Sequence, residues 1–234
     1  MPKFLIAILI PLLLGAARKP ATPDSPRAAN IRAKVWPQLQ SDLKAAGLKD
    51  DQPIYLRIFK IPGTMEVWVK SGKQFKLFRQ YLVCTYSGGL GTKTHNKDGK
   101  CPEGYYSITP NRLNPMSNYH LAMNIGYPNA YDQSRGYTGD EIMIHGDCVS
   151  IGCYAMTDAK IEEIYTLVYE AFQHGQKAVP VSIYPFKLTN TTLDTYSEWS
   201  TFSFWESLKP GYDIFERTHV PPVVTVVGKN YSFR

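Results

Sequence analysis

The reactive side chains of this chain gather in Ile142-Met143-Ile144-His145-Gly146-Asp147-Cys148-Val149-Ser150-Ile151-Gly152-Cys153, where an apolar run gives way to polar groups. Loops at the ends of rigid strands are where catalytic groups concentrate. A thiol attacks as thiolate, and a nearby imidazole or set of amide dipoles makes that form accessible near neutral pH. His145 can take the proton of Cys153. Gly152 beside the cysteine leaves the backbone N–H groups at Gly152 and Cys153 open to a substrate oxygen, as an oxyanion hole requires. The chemistry on offer is acyl transfer through a thioester, which needs neither metal nor cofactor.

On residue types alone, other readings stay open. His145, Cys148 and Cys153 could begin a zinc site, but a closed structural site takes four ligands and no second histidine or cysteine pair follows at finger spacing. Cys148 and Cys153 could close a short disulfide, or both could be small buried apolar side chains.

The elements that must position these groups are mostly strands. Ile54, Leu56 and Ile58 alternate with Tyr55, Arg57 and Phe59, and Met65, Val67 and Val69 alternate with Glu66, Trp68 and Lys70. Pro62-Gly63 between the two runs makes them a hairpin. Further strand-like runs are 75–86, 105–109, 120–125, 141–145 and 179–184, separated by Gly, Pro and Asn turn signals. One helix interrupts them: after Thr157-Asp158, the residues Ile161, Ile164, Leu167, Val168, Ala171 and Phe172 share a face that ends at Gly175. If 141–145 is a strand and a helix starts at Asp158, the intervening turn folds back and brings Cys153 towards His145. Upstream, Val35, Leu39, Leu43 and Ala46 recur at helical spacing from Ile31 to Gly47, with Pro37 starting or kinking that helix. Residues 18–29, rich in proline and small polar residues, read as a flexible leader. After Leu188, aromatic residues including Trp199, Phe202, Phe204 and Trp205 are expected to wrap the main domain.

His145-Gly146 followed by Ser150-x-Gly152-Cys153, with Cys101-Pro102-Glu103-Gly104-Tyr105-Tyr106 upstream, resembles the L,D-transpeptidase (YkuD-type) catalytic domain. The likeness spans about residues 53–187 and is strongest to the YafK-like branch. Cys84 to Gly91, Asn124 to Ala130, His145 to Cys148 and Gly152 to Asp158 carry it. The resemblance implies an α+β, mainly β fold: a twisted antiparallel β-sandwich with a packed helix and a C-terminal extension. The domains would be a signal peptide (1–17), a leader with an N-terminal helix (18–51), the catalytic domain (52–187) and the extension (188–234). It implies Cys153 as nucleophile, His145 as proton donor and acceptor, the amides of Gly152 and Cys153 as oxyanion donors, and a backbone carbonyl orienting the histidine, with Asp147 the less favoured third member.

The departures from the pattern bear on specificity. The family usually shows Ser/Thr-His-Gly-Cys and an arginine two positions after the cysteine, whereas here Ile151 and Ala155 stand at those positions. An arginine there suits a peptide carboxylate, so its loss disfavours the ordinary transpeptidase donor. The YafK-like resemblance implies instead an amidase that cuts the bond between peptidoglycan diaminopimelate and the lysine of an attached outer-membrane lipoprotein. A true L,D-transpeptidase is the alternative. Tyr127, Tyr131, Tyr137 and Arg135 could line a groove for glycan or peptide, Arg135 supplying the missing charge; an aromatic turn packed on its own domain is the plainer expectation. Reserving Cys153 as a free thiol leaves three cysteines, of which Cys84 with Cys101 is the favoured pair.

Composition narrows the rest. The 234 residues are 44% apolar and 13% aromatic, which excludes a disordered chain. The net charge of +6 comes from 26 basic residues that never form a run of five, so no nucleic-acid partner is indicated. Lys3, the apolar run Phe4 to Leu14 and the small residues Gly15-Ala16-Ala17 form a signal peptide cut near Ala17. That run is too short for a bilayer span of about 20 residues, so a mature periplasmic protein with no integral membrane span is expected.

Overall fold

The computed structural model describes residues 22–234; the expected signal peptide and its cleavage point lie outside them. The chain opens with helix α1 (Pro26–Ala45). Ser25 caps it by accepting the Ala28 N–H, and Pro26 occupies the first turn, where its missing donor has no consequence. This corrects the expectation of a leader that stays flexible through residue 29: residues 26–29 already form the first helical turn, and Pro37 lies inside the helix. The cap at Ser25, six residues upstream of Ile31 where the apolar periodicity begins, sets the start.

Sheet 1 has the order β3-β2-β1-β10-β5, with β1 (Ile54–Phe59), β2 (Thr64–Ser71), β3 (Gln74–Leu82), β5 (Gly104–Ile108) and β10 (Val179–Tyr184). The expected hairpin is β1-β2, with Phe59 opposite Thr64. Every residue of β1 is buried. Ile54, Leu56 and Ile58 face a core shared with α1 and with α3 (Asp158–Gln173), while Tyr55 and Phe59 face the C-terminal helix. The alternation seen in the sequence therefore separates two cores, not core from solvent. Arg57, on the second face, donates to Glu216 at 2.7 Å and lies over the ring of Phe215.

Sheet 2 has the order β4-β9-β8-β7-β6, with β4 (Thr85–Tyr86), β6 (Leu113–Asn114), β7 (Ala122–Asn124), β8 (Met143–His145) and β9 (Tyr154–Ala155). The fold is mixed, mainly β, with two five-stranded sheets and several helices. It is not wholly antiparallel: β1 runs parallel to β10 and β8 parallel to β9. A short helix α2 (Ala130–Ser134) lies in the Tyr-rich segment. Beyond Leu188 come α4 (Asn190–Thr195), α5 (Phe202–Thr218) and a hairpin of β11 (Val224–Val227) with β12 (Asn230–Phe233). The aromatics of this region form a second core with Phe59, Tyr184 and Phe186, in which Trp205 is fully buried.

Candidate active site

His145 ends β8 and Cys153 immediately precedes β9. In the parallel pair, Ile144 is opposite Tyr154 and His145 opposite Ala155. That parallel register sets Cys153, the residue before β9, alongside Met143 at the start of β8. The Met143 N–H points at Cys153 Sγ at 3.4 Å, and the thiol faces the Glu141 carbonyl at 3.7 Å. The crossover between β8 and β9 is only eight residues long, which forces a tight turn; Asp147 and Cys148 adopt left-handed backbone at φ 64° and 45°. Non-glycine residues are rare there and need support. Asp147 N–H donates to Asp158 Oδ1 and Cys148 N–H to the Met156 carbonyl. Gly152, at φ 144°, stands where a side chain is disfavoured.

His145 Nδ1 is 2.7 Å from the Gly146 carbonyl. A carbonyl only accepts, so Nδ1 carries the proton and Nε2 is left with its lone pair, the form a general base requires. Asp147 is exposed and makes no hydrogen bond to the ring. Tyr119 packs on the imidazole with ring centroids 4.7 Å apart. Burial lowers the His145 pKa, and burial raises that of Cys153. The resting pair is thus neutral imidazole and neutral thiol, not a preformed ion pair.

The amides are not open as the sequence suggested. Ser150 Oγ accepts the Gly152 N–H at 3.2 Å and the Cys153 N–H at 3.0 Å, and its own proton goes to the Cys153 carbonyl at 2.7 Å. A hydroxyl three residues before the cysteine thus holds the oxyanion position. The Cys153 carbonyl also receives the buried thiol of Cys101 at 3.0 Å. Burial pushes the Cys101 pKa up to about 11, so it remains a donor.

The disulfide joins Cys84 to Cys148, leaving Cys101 and Cys153 free. This overturns both the Cys84–Cys101 pairing and the short Cys148–Cys153 bridge. The reason is topological: the Cys84 N–H donates to the Ala155 carbonyl and Thr85 pairs with Ala155, which puts Cys84 beside the β8–β9 crossover.

The four groove candidates are used elsewhere. Tyr127 is buried, its hydroxyl donating towards the Lys93 and Thr138 carbonyls. Tyr131 is buried and stacks on Tyr231 at 4.3 Å, with the Arg135 guanidinium 5.1 Å from its ring centroid. Arg135 reaches Asn230, so it belongs to the C-terminal hairpin and not to the thiol. Tyr137 packs, half-buried, on the main core. The three tyrosines pack on their own domain, while Arg135 is exposed.

Behind the thiol lies a buried ion pair that sequence reasoning missed. Lys60 and Glu103 meet at 3.0 Å with both side chains inaccessible to solvent. Lys60 Nζ donates to the carbonyls of Gly89, Gly91 and Cys101, while Glu103 accepts the Gly91 N–H and the Trp205 Nε1–H. Among the described residues no group of three or more His, Cys, Asp or Glu could hold a metal ion.

The profile of the L,D-transpeptidase catalytic domain (YkuD) matches residues 58–183, more than half of the chain, and includes His145, Ser150, Gly152 and Cys153. The chain belongs to the L,D-transpeptidase family. This L,D-transpeptidase-family chain is 51% identical over 179 residues to YafK of Escherichia coli (strain K12), named for the L,D-transpeptidases; the match covers 76% of this chain and 73% of YafK. The protein of the same name from Escherichia coli O157:H7 matches equally. Among solved structures, this family member is similar to the helical cell shape determining protein Pgp2 from Campylobacter jejuni, at 20% identity and a TM-score of 0.46 over 81% of this chain and 80% of that one. It is also similar to Bd1075 of Bdellovibrio bacteriovorus, at 16% identity and a TM-score of 0.42 over 75% and 77%. The family places a cysteine-nucleophile enzyme acting on peptidoglycan. Among the described residues no helix is long and apolar enough to cross a membrane.

Proposed function

We propose that the protein is an exported, periplasmic cysteine amidase that cleaves the amide between peptidoglycan diaminopimelate and the lysine of a covalently attached lipoprotein, with water as the final acceptor. The observation that carries this reading is Ala155. It is fully buried in β9, at the position where an arginine would hold the carboxylate of the ordinary transpeptidase donor. The likeness to YafK, named for the L,D-transpeptidases, supports acyl transfer on a cysteine.

The steps follow from the side chains. His145 Nε2 takes the proton of Cys153 as Sγ attacks the diaminopimelate carbonyl. The Gly152 and Cys153 amides are the nearest donors for the oxyanion once the Ser150 hydroxyl yields them. Collapse expels the lysine amine, protonated by His145, and leaves a thioester. Water, deprotonated by His145, then releases the diaminopimelate carboxylate and restores the thiol.

The test is mass spectrometry of lipoprotein-linked muropeptide incubated with purified protein. Free lipoprotein and a diaminopimelate-ended peptide are expected, with neither formed by Cys153→Ala. Diaminopimelate-to-diaminopimelate crosslinks made from tetrapeptides at a comparable rate would establish the transpeptidase reading instead.

A further inference from the structure

A cavity of about 550 Å³ lies between sheet 1 and the C-terminal hairpin, and none of His145, Ser150, Gly152 or Cys153 lines it. Its volume is that of a small-ligand cleft. Two independent features specify the occupant.

The first is a free strand edge. Val223 and Arg234 exchange both backbone hydrogen bonds, and Val224 is opposite Phe233, so the bonded pairs of the ladder are Val223 with Arg234, Thr225 with Ser232 and Val227 with Asn230. The N–H and C=O groups of Val224 and Val226 therefore point away from β12. Among the described residues β11 pairs with no other strand, and both valines line the cavity. The edge of β5 on the far wall offers nothing comparable: Ser107 N–H goes to the Ile125 carbonyl, and the Tyr105 and Ser107 carbonyls receive Asn129 and Arg112.

The second is a charge. Arg112 is the one charged residue lining the cavity, and it makes no salt bridge among the described residues. One guanidinium nitrogen donates to the Ser107 carbonyl at 2.6 Å, which leaves the rest of the fork available. The group packs against Gly126, where a Cβ would collide with Nη1 and Cζ of the guanidinium. The carboxylate of Asp132 does not line the cavity: it is taken up by the Asn129 N–H and the Tyr106 hydroxyl, its pKa pushed up to about 6 by burial.

We propose that this cleft is a docking site for an extended, acidic segment of a partner polypeptide, which adds to β11 as a third strand and sets a carboxylate on Arg112. Strand addition supplies affinity through Val224 and Val226, and the arginine selects for negative charge.

The test is amide NMR of the full chain titrated with a blocked peptide of about eight residues alternating valine and glutamate. Chemical-shift changes and slowed hydrogen exchange are expected at Val224 and Val226. A valine–lysine peptide should bind at least tenfold more weakly, and Arg112→Gln should erase that difference. Val226→Pro removes an outward N–H without touching the ladder bonds, so it should weaken binding at least tenfold while thiol labelling of Cys153 is unchanged. If that variant does not fold, methylating alternate amides of the peptide must produce the same loss in the parent. Unmoved β11 amides, or equal binding of the methylated peptide, overturns the proposal. So does a purified muropeptide that shifts the same amides more strongly than the acidic peptide, since the occupant is then the wall.

Discussion

The hydroxyl of Ser150 bridges both ends of one residue: it accepts the Cys153 N–H at 3.0 Å and donates to the Cys153 carbonyl at 2.7 Å. The nucleophile's backbone is clamped by a side chain three positions earlier, in a turn with no regular secondary structure. A substrate oxygen that enters the same amides must replace Oγ, so Ser150 both holds the turn and yields the site.

Ser150→Ala should leave a folded protein with a poorly positioned nucleophile. Losing a partner for a part-buried donor or acceptor costs about 1–3 kcal/mol, or roughly 5- to 150-fold if it appears in the barrier. Turnover is expected to fall within that range, and Ser150→Thr, which retains the hydroxyl, should recover most of it. Faster acylation in Ser150→Ala would show instead that the hydroxyl only obstructs the oxyanion.

The two shifts at the site fix the pH behaviour. Burial raises the Cys153 pKa above its ordinary value, so the thiolate fraction at pH 7 is below the few per cent of a free cysteine. Iodoacetamide labelling of Cys153 should therefore climb steadily from pH 7 to beyond 9. Burial lowers the His145 pKa below its ordinary value, so the acid limb of kcat/KM should fall below the ordinary histidine range. Labelling that levels off under pH 7 would reveal a preformed thiolate–imidazolium pair and remove the neutral-pair reading.

The disulfide ties the β8–β9 crossover to the start of β4, across a sequence separation of 64. The chain-entropy estimate for a loop of that length is about 4 kcal/mol. A Cys84→Ser/Cys148→Ser double variant should melt well below the parent. It should also lose turnover beyond what stability explains, because Cys148 holds left-handed backbone five residues from the nucleophile. Mass spectrometry after alkylation without reductant should count two modified cysteines in the unfolded parent, Cys101 and Cys153. Modification of Cys84 and Cys148 there would exclude the bridge.

How much of this was legible in the sequence depends on whether the signal was local. The strand alternation at 54–58 and 65–69, the helix after Thr157 and the His145 and Cys153 pattern depend on neighbours in sequence and could be read from them. The disulfide could not, since it follows from Cys84 pairing across a sheet with Ala155. The Tyr-rich segment misled for a related reason: stacking of Tyr131 on Tyr231 is set by a hairpin a hundred residues later. Helix α5 was obscured by its composition, with Gly211 and Pro210 inside it. Ser150 did carry a local signal, a hydroxyl two and three residues before the amides it caps, the spacing of a side-chain-to-backbone turn.

The buried pair Lys60 and Glu103 joins the C-terminal region to the nucleophile. Trp205 of α5 donates to Glu103, Lys60 holds the Cys101 carbonyl, and the Cys101 thiol donates to the Cys153 carbonyl. Removing one ion of a buried pair leaves the other uncompensated and costs about 3–5 kcal/mol, whereas replacing both by neutral groups of similar size is far milder. Lys60→Met should accordingly be strongly destabilised, and Lys60→Met/Glu103→Gln should regain much of the lost stability in urea unfolding. The route to the thiol is separated from bulk stability by Cys101→Ala and Cys101→Ser. Only the serine retains a donor to the Cys153 carbonyl, so kcat should fall in the alanine variant and return in the serine variant at nearly constant KM. Equal kcat in the two would mean that the pair stabilises the fold without positioning the nucleophile.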